Sequence, residues 1–170
     1  MLRDALEWQP PTALSASDWT GTDGDAPVSF REFEGDVVVV AFWDESSPTC
    51  RRAFARLVKL QADERERGLR VVAIHASAPD RASLDAFLAE NPPGFPHAID
   101  ADGKSARAWL VDAYPDYQLV DRNGRVRVCD LVDSDLPRAV GKLLDEPAPG
   151  AKPEEIGPTL AATWSAARYD

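Results

Sequence analysis

Residues 37–54 read VVVVAFWDESSPTCRRAF. Val37–Phe42 is a continuous apolar run, mostly β-branched, the pattern of a strand buried on both faces. A short polar turn, Asp44–Ser47, follows, and then Pro48. Ser is a preferred N-cap, and Pro at the first helical position gives up an N–H that has no intrahelical partner there. The stretch therefore predicts a strand, a turn and a helix, with Ser47 as cap and Cys50 in the first helical turn. The helix N-terminus favours a thiolate there, and Arg51 and Arg52 add positive charge. Burial and the carboxylates of Asp44 and Glu45 act the other way.

On the C-terminal side, the helix runs from Pro48 to about Arg67. Phe54, Leu57, Val58, Leu60 and Gln61 lie on or near one stripe, and Gly68 ends it. Leu69–His75 reads as a second buried strand, and Pro79 to about Glu90 as a second helix with Leu84, Phe87 and Leu88 at helical spacing. After the break NPPGFP come a short extended piece, HAID, and a short helix over Gly103–Leu110. Asp116–Val120 and Arg125–Leu131 flank DRNG, which predicts a hairpin with a type I or I′ turn at Asn123-Gly124. Ser134–Glu146 reads as the last helix, with Ser134 as N-cap. On the N-terminal side, Leu14 to Phe30 is broken by GTDGD and predicts a hairpin or loop with a weak strand on each side. The order βαβα(α)ββα implies parallel strands with right-handed crossovers, closed by an antiparallel hairpin. The expected class is α/β: a mixed central sheet between helices in three layers, with an N-terminal β-hairpin extension. Residues 1–11 form a lead-in, 12–146 one domain, and 147–170 a Pro-rich linker and tail.

The 170 residues carry a net charge of −10. That charge argues against nucleic acid and against an anionic membrane surface as partners. No apolar run approaches the ~20 residues that span a bilayer, and MLRDALEWQPP lacks the basic and apolar regions of a signal peptide. The expectation is a cytoplasmic protein, or an exported one whose leader has been removed. Cys50 and Cys129, with His75 and His97, are too sparse and wrongly spaced for a zinc set, so neither metal nor cofactor is expected. His75 reads as a satisfied strand-end residue and His97 as loop or strand edge. Trp43, Phe42 and Trp109 read as core.

Over about residues 12–146 the chain resembles the thioredoxin fold, in its TlpA/redoxin (AhpC/TSA-like) branch. VVVVAFW, GLRVVAIHAS, FPHAIDADGKSARAW and above all YPDYQLVDRNGRV carry the likeness, in order and spacing. The resemblance implies thiol oxidoreductase or antioxidant-type chemistry, and a cis-proline at Pro115 lying against the redox motif. That motif in the family is Trp-Cys-x-x-Cys-Arg. Here Ser46, Ser47, Pro48, Thr49, Cys50 and Arg51 stand in those places. The second Cys and its Arg are present, and the attacking Cys is replaced by Ser47. Ala55 stands where the family often has Pro, and Ala41 where thioredoxins carry a buried carboxylate.

A Ser hydroxyl cannot form the mixed disulfide that dithiol exchange requires. The candidate catalytic residues are then Cys50, Ser47 and Pro115. Trp43, Pro48, Thr49, Arg51 and Tyr114 are candidate groove residues, and Cys129 is a candidate second thiol, placed by hairpin counting near the Pro115 end and on the Cys50 side. Ser47 and Cys50 also match the Thr/Ser-x-x-Cys setting of peroxiredoxins, although Trp43 stands where that family has Pro. Three readings stand together: a monothiol oxidoreductase or peroxidase acting on a protein or small thiol, a catalytically silent binding module using the Pro115 groove to hold a protein partner, and a structural domain whose tail packs on a partner. The residues set no oligomeric state.

Overall fold

The computed structural model describes residues 5–147 and 149. Its strands are β1 (Ser17–Thr20), β2 (Val37–Trp43), β3 (Leu69–His75), β4 (His97–Ile99), β5 (Asp116–Val120) and β6 (Val126–Leu131). Its α-helices are α1 (Pro48–Glu64), α2 (Arg81–Glu90), α3 (Lys104–Ala108) and α4 (Leu136–Leu144). The six strands form one sheet in the order β1-β4-β3-β2-β5-β6. β2, β3 and β4 run parallel, and β1, β5 and β6 are antiparallel to their neighbours. This is the mixed α/β sheet expected from the sequence.

Strand alternation divides the core in two. Val37, Val39, Ala41 and Trp43 face a cluster shared with Cys50, Phe54 and Leu57 of α1, Leu84 of α2, and Leu136, Val140 and Leu143 of α4. Val38, Val40 and Phe42 face the other side, where Trp109, Leu14, Trp19 and Val28 cover them. Burial on both faces explains why β2 is apolar at every position.

The structure corrects several boundaries. Before β2 only one strand forms, not two: β1 adds antiparallel to β4, and Phe30–Phe33 is a 3₁₀ turn. Pro27, which has no N–H to donate to a ladder, stands where the second weak strand would begin. The expected β-hairpin extension is thus a single edge strand. His97 consequently lies in an interior strand between β1 and β3. α1 ends at Glu64 and tightens into a 3₁₀ turn over Arg65–Arg67, and Gly68 closes it at φ 97°. Asp80 caps α2 by accepting from Ser83 N–H at 3.0 Å. Ser134 is not the cap of α4. Asp133–Asp135 is a 3₁₀ turn, and α4 begins at Leu136 with Pro137 in its first turn. In the β5–β6 loop only Gly124 has positive φ, so the turn is type I with a left-handed glycine, not type I′. Asp121 fixes it by accepting from the N–H groups of Asn123 and Arg125.

The lead-in also has a role in the sheet. Trp8 N–H donates to the Val126 carbonyl at 2.6 Å, and Val126 N–H donates to the Gln9 carbonyl at 2.9 Å. Trp8 and Gln9 therefore satisfy part of the open edge of β6. Among the described residues no helix is long and apolar enough to cross a membrane. Apart from Pro147 and Pro149, the expected linker and tail lie outside the described residues.

Candidate functional site

The β2–α1 turn is built as its sequence dictates. Asp44 Oδ1 accepts from the N–H and the hydroxyl of Ser46, at 2.9 and 2.7 Å. Ser47 is the N-cap of α1, its hydroxyl accepting from Cys50 N–H at 3.4 Å, and Pro48 opens the helix. Pro48, Thr49 and Arg51 are exposed, whereas Cys50 is 0% exposed and faces the core with Trp43 and Phe54. The cap and the thiol thus sit in sequence where a redox pair would, but the thiol has no solvent-exposed surface.

The second thiol is not its partner. The two cysteines form no disulfide, and Cys129 belongs to the cluster on the opposite face of the sheet. The reason is local. Val120 pairs with Val126, and an unbroken ladder from there would set Cys129 opposite Tyr117, on the Cys50 side. The register slips by one residue between the Val120–Val126 and Leu119–Val128 pairs, which turns Val128 to the Cys50 side and Cys129 away from it; a second slip follows before Leu131 meets Tyr117. Each slip of one residue reverses which face a side chain takes.

Arg51 does not lend its charge to Cys50. Its guanidinium pairs with the Glu45 carboxylate, and its Nε donates to the Glu45 carbonyl at 2.7 Å. Glu45 is itself buried and accepts from the Ser83 hydroxyl at 2.8 Å, tying the turn to α2. Glu45 N–H donates to His75 Nε2 at 2.8 Å, and His75 Nδ1 lies 2.5 Å from the Ala76 carbonyl. Nε2 must carry the lone pair, so Nδ1 holds the proton and donates to Ala76. His97 repeats the pattern: its Nε2 accepts from Trp43 Nε1–H at 3.2 Å. Trp43, one of the candidate groove residues, is therefore interior. It stacks on Phe54 with ring centroids 4.2 Å apart and meets His75 edge-on at 4.9 Å. Burial lowers the pKa of both imidazoles, that of His97 to about 3. For His75, charge from Asp44 and Glu45 opposes the burial and Arg81 adds to it. This double anchor through Glu45 and His75 escaped the reading of the sequence. The HAS at the end of β3 and the acidic turn are each ordinary alone.

The Tyr114–Pro115 peptide bond is cis. Pro115 is half-buried and Tyr114 is exposed. Beside Tyr114 lies an open cleft of about 460 Å³, lined by Asp44, Ala76, Ser77, Asp100, Gly103 and Tyr114 among others. In its lining, the Asp100 carboxylate accepts from the N–H groups of Ser105 and Ala106 at 3.0 and 2.8 Å. Burial, then the charges of Asp100, Asp44 and Asp116, push the Tyr114 phenol up. On the other side of Pro115, Tyr117 donates its hydroxyl to Asp133 at 2.8 Å, and Asp133 pairs with Arg56 of α1. The acidic DSD sequence thus braces α1 against β5. Among the described residues no group of three or more His, Cys, Asp or Glu is placed to hold a metal ion.

Comparison with known proteins agrees with this architecture. The AhpC/TSA family model matches residues 13–129. Protein DipZ of Mycobacterium tuberculosis is 24% identical over 149 residues, covering 84% of this chain and 21% of that protein. Thiol-disulfide oxidoreductase ResA of Halalkalibacterium halodurans is 26% identical over 99 residues, 58% of this chain and 56% of that one. The chain therefore spans about a fifth of DipZ and just over half of ResA. A protein of Chlorobium tepidum described as a thiol:disulfide interchange protein DsbE superposes with a TM-score of 0.62 at 29% identity, over 69% of this chain and 86% of that one. A thiol-disulfide isomerase of Corynebacterium glutamicum gives 0.65 at 23% identity, over 82% and 98%, a likeness of fold. The chain is a thioredoxin-fold member of the AhpC/TSA family.

Proposed function

We propose that at neutral pH this chain is a redox-silent member of its family, a binding module that holds a protein partner across the cleft beside Pro115. The observation that carries this reading is Cys50, 0% exposed and with no second thiol on its face of the sheet. Dithiol exchange needs an accessible thiolate and a resolving thiol, and neither requirement is met around Ser47. The Ser47 hydroxyl is occupied as a cap, and Arg51 is occupied by Glu45. The strand-turn-helix frame is nevertheless kept, with Tyr114 and Asp44 of the turn bordering one open cleft. A module that keeps this frame without the reaction retains a surface for an extended chain.

The test is thiol labelling with iodoacetamide at about pH 7.5, in the native chain and in denaturant, together with peroxide consumption and disulfide reduction in wild type and Cys50→Ser. Neither thiol is expected to react in the native state, both in denaturant, and the two proteins are expected to show the same background turnover. Stoichiometric native labelling of Cys50, or turnover lost in Cys50→Ser, would sink the reading.

A further inference from the structure

The 44–47 turn is held down by a hydrogen bond that only a neutral imidazole can accept, and we propose that protonation of His75 releases this turn and uncovers Cys50. Both ring nitrogens of His75 are engaged, Nε2 accepting from Glu45 N–H and Nδ1 donating to the Ala76 carbonyl. An imidazolium has two N–H donors and no lone pair. Once Nε2 is protonated it faces the Glu45 N–H as donor against donor, and one of them must move. His75 is fixed in β3 and gripped by the Trp43 ring, while Glu45 belongs to a four-residue turn.

What moves with Glu45 is the turn that caps the first turn of α1, the turn of helix that seats Cys50 against the core. Glu45 carries the Arg51 and Ser83 contacts, which pin the first turn of α1 to α2. Ser47, two residues on, caps Cys50 N–H. A proton can reach the ring, because His75 lines a second cleft of about 210 Å³ with Asp44, Ser77 and Asp80. The groups that face it are Asp44 and Glu45 of the turn, Asp80 and Arg81 at the start of α2, His97 of β4, and Arg51 of α1 through Glu45. Asp44 and Glu45 draw the proton in. Burial and Arg81 oppose it, so the closed form binds it more weakly than an open one would. Opening therefore grows as pH falls below the ordinary imidazole value of about 6.5 and levels off below the closed-state value. The population of open turn rises by up to about tenfold per pH unit in that window. Cys129, buried on the opposite face, is untouched by the turn and serves as an internal reference.

The experiment follows each thiol separately with 4,4′-dithiodipyridine from about pH 7.5 to 5, each rate divided by that of the denatured chain at the same pH. The expected result is that Cys50 loses protection below about pH 6.5 while Cys129 keeps it, and that His75→Gln, which still offers an acceptor but does not titrate, flattens the Cys50 profile. Loss of protection at both thiols together means global unfolding and overturns the proposal. So does a flat wild-type profile, or an acid limb retained in His75→Gln. A variant-independent check is the wild-type Glu45 amide resonance, expected to titrate in step with the His75 ring; an amide that does not follow it also overturns the latch. The labelling at neutral pH tests the silent-module reading alone, so the two can fail separately.

Discussion

One side chain, Ser47, stands where the resemblance places the attacking Cys. A sulfur in its place would stand three residues before Cys50, over the first turn, where the Ser47 oxygen already folds back to within 3.4 Å of the Cys50 amide. Ser47→Cys is expected to form a reversible disulfide with Cys50 and to gain dithiothreitol-dependent reduction of insulin, at a cost of about 1 kcal/mol for the weakened cap. Thiol counts under oxidising and reducing conditions read the first effect, and chemical denaturation reads the second. A variant that keeps two free thiols beside Cys129 under oxidant would show that the frame itself, and not only the residue, has left dithiol chemistry. At this scale the sequence was informative where chemistry is local: the cap, the proline and the lost thiol are all visible in SSPTC. It misplaced Cys129 because the one-residue register slip before Val128, which turns this side chain away, leaves no mark on an alternating strand. It gave Arg51 to Cys50 because the buried carboxylate of Glu45, which takes the guanidinium, lies in a turn where exposure is the default.

The elements that read most clearly, β2, β3 and the β5–β6 hairpin, are those whose burial is dictated by their own side chains. β1 and the start of α4 read poorly because they depend on what they pack against. Ser17 and Thr20 are exposed and pair with β4 through the backbone, which periodicity does not record. The junction between α1 and β3 shows how one position can govern an element. Gly68 has a φ of 97°, and a Cβ there would meet Arg122 Nη1 at 2.9 Å and Asp36 Oδ1 at 3.0 Å. Arg122 is not free to yield, because its guanidinium donates to the carbonyls of Gly35, Arg67 and Leu144 and so joins three segments. Gly68→Ala is expected to cost about 1–3 kcal/mol, the left-handed penalty plus displacement of that guanidinium. Urea denaturation monitored by tryptophan fluorescence measures it. A loss within about 0.5 kcal/mol would mean that Arg122 gives way freely and does not brace the junction.

For the molecule as a whole, the neutral histidines set an acid limit to stability. His97 is buried, accepts from Trp43 and has a folded-state pKa of about 3. In the unfolded chain it titrates near 6.5. Its folded pKa is depressed, so the unfolded state binds more protons between these two values, and stability falls as pH drops through that window. The full contribution is present above about pH 6.5, and on the order of 4 kcal/mol is lost by about pH 3. Against the roughly 5–15 kcal/mol typical of a domain, that term alone brings the fold close to acid unfolding. His97→Gln keeps an acceptor for the Trp43 indole and removes the titration. The variant is therefore expected to lower stability near pH 7 through imperfect packing, yet to flatten the decline between about pH 6.5 and 4 by most of the His97 share. Urea midpoints measured across that range in both proteins separate the packing loss, which is constant with pH, from the proton linkage, which is not. Parallel curves would show that His97 is hydrated or already protonated in the folded state. Converging curves would show that His97 carries this share of the acid linkage.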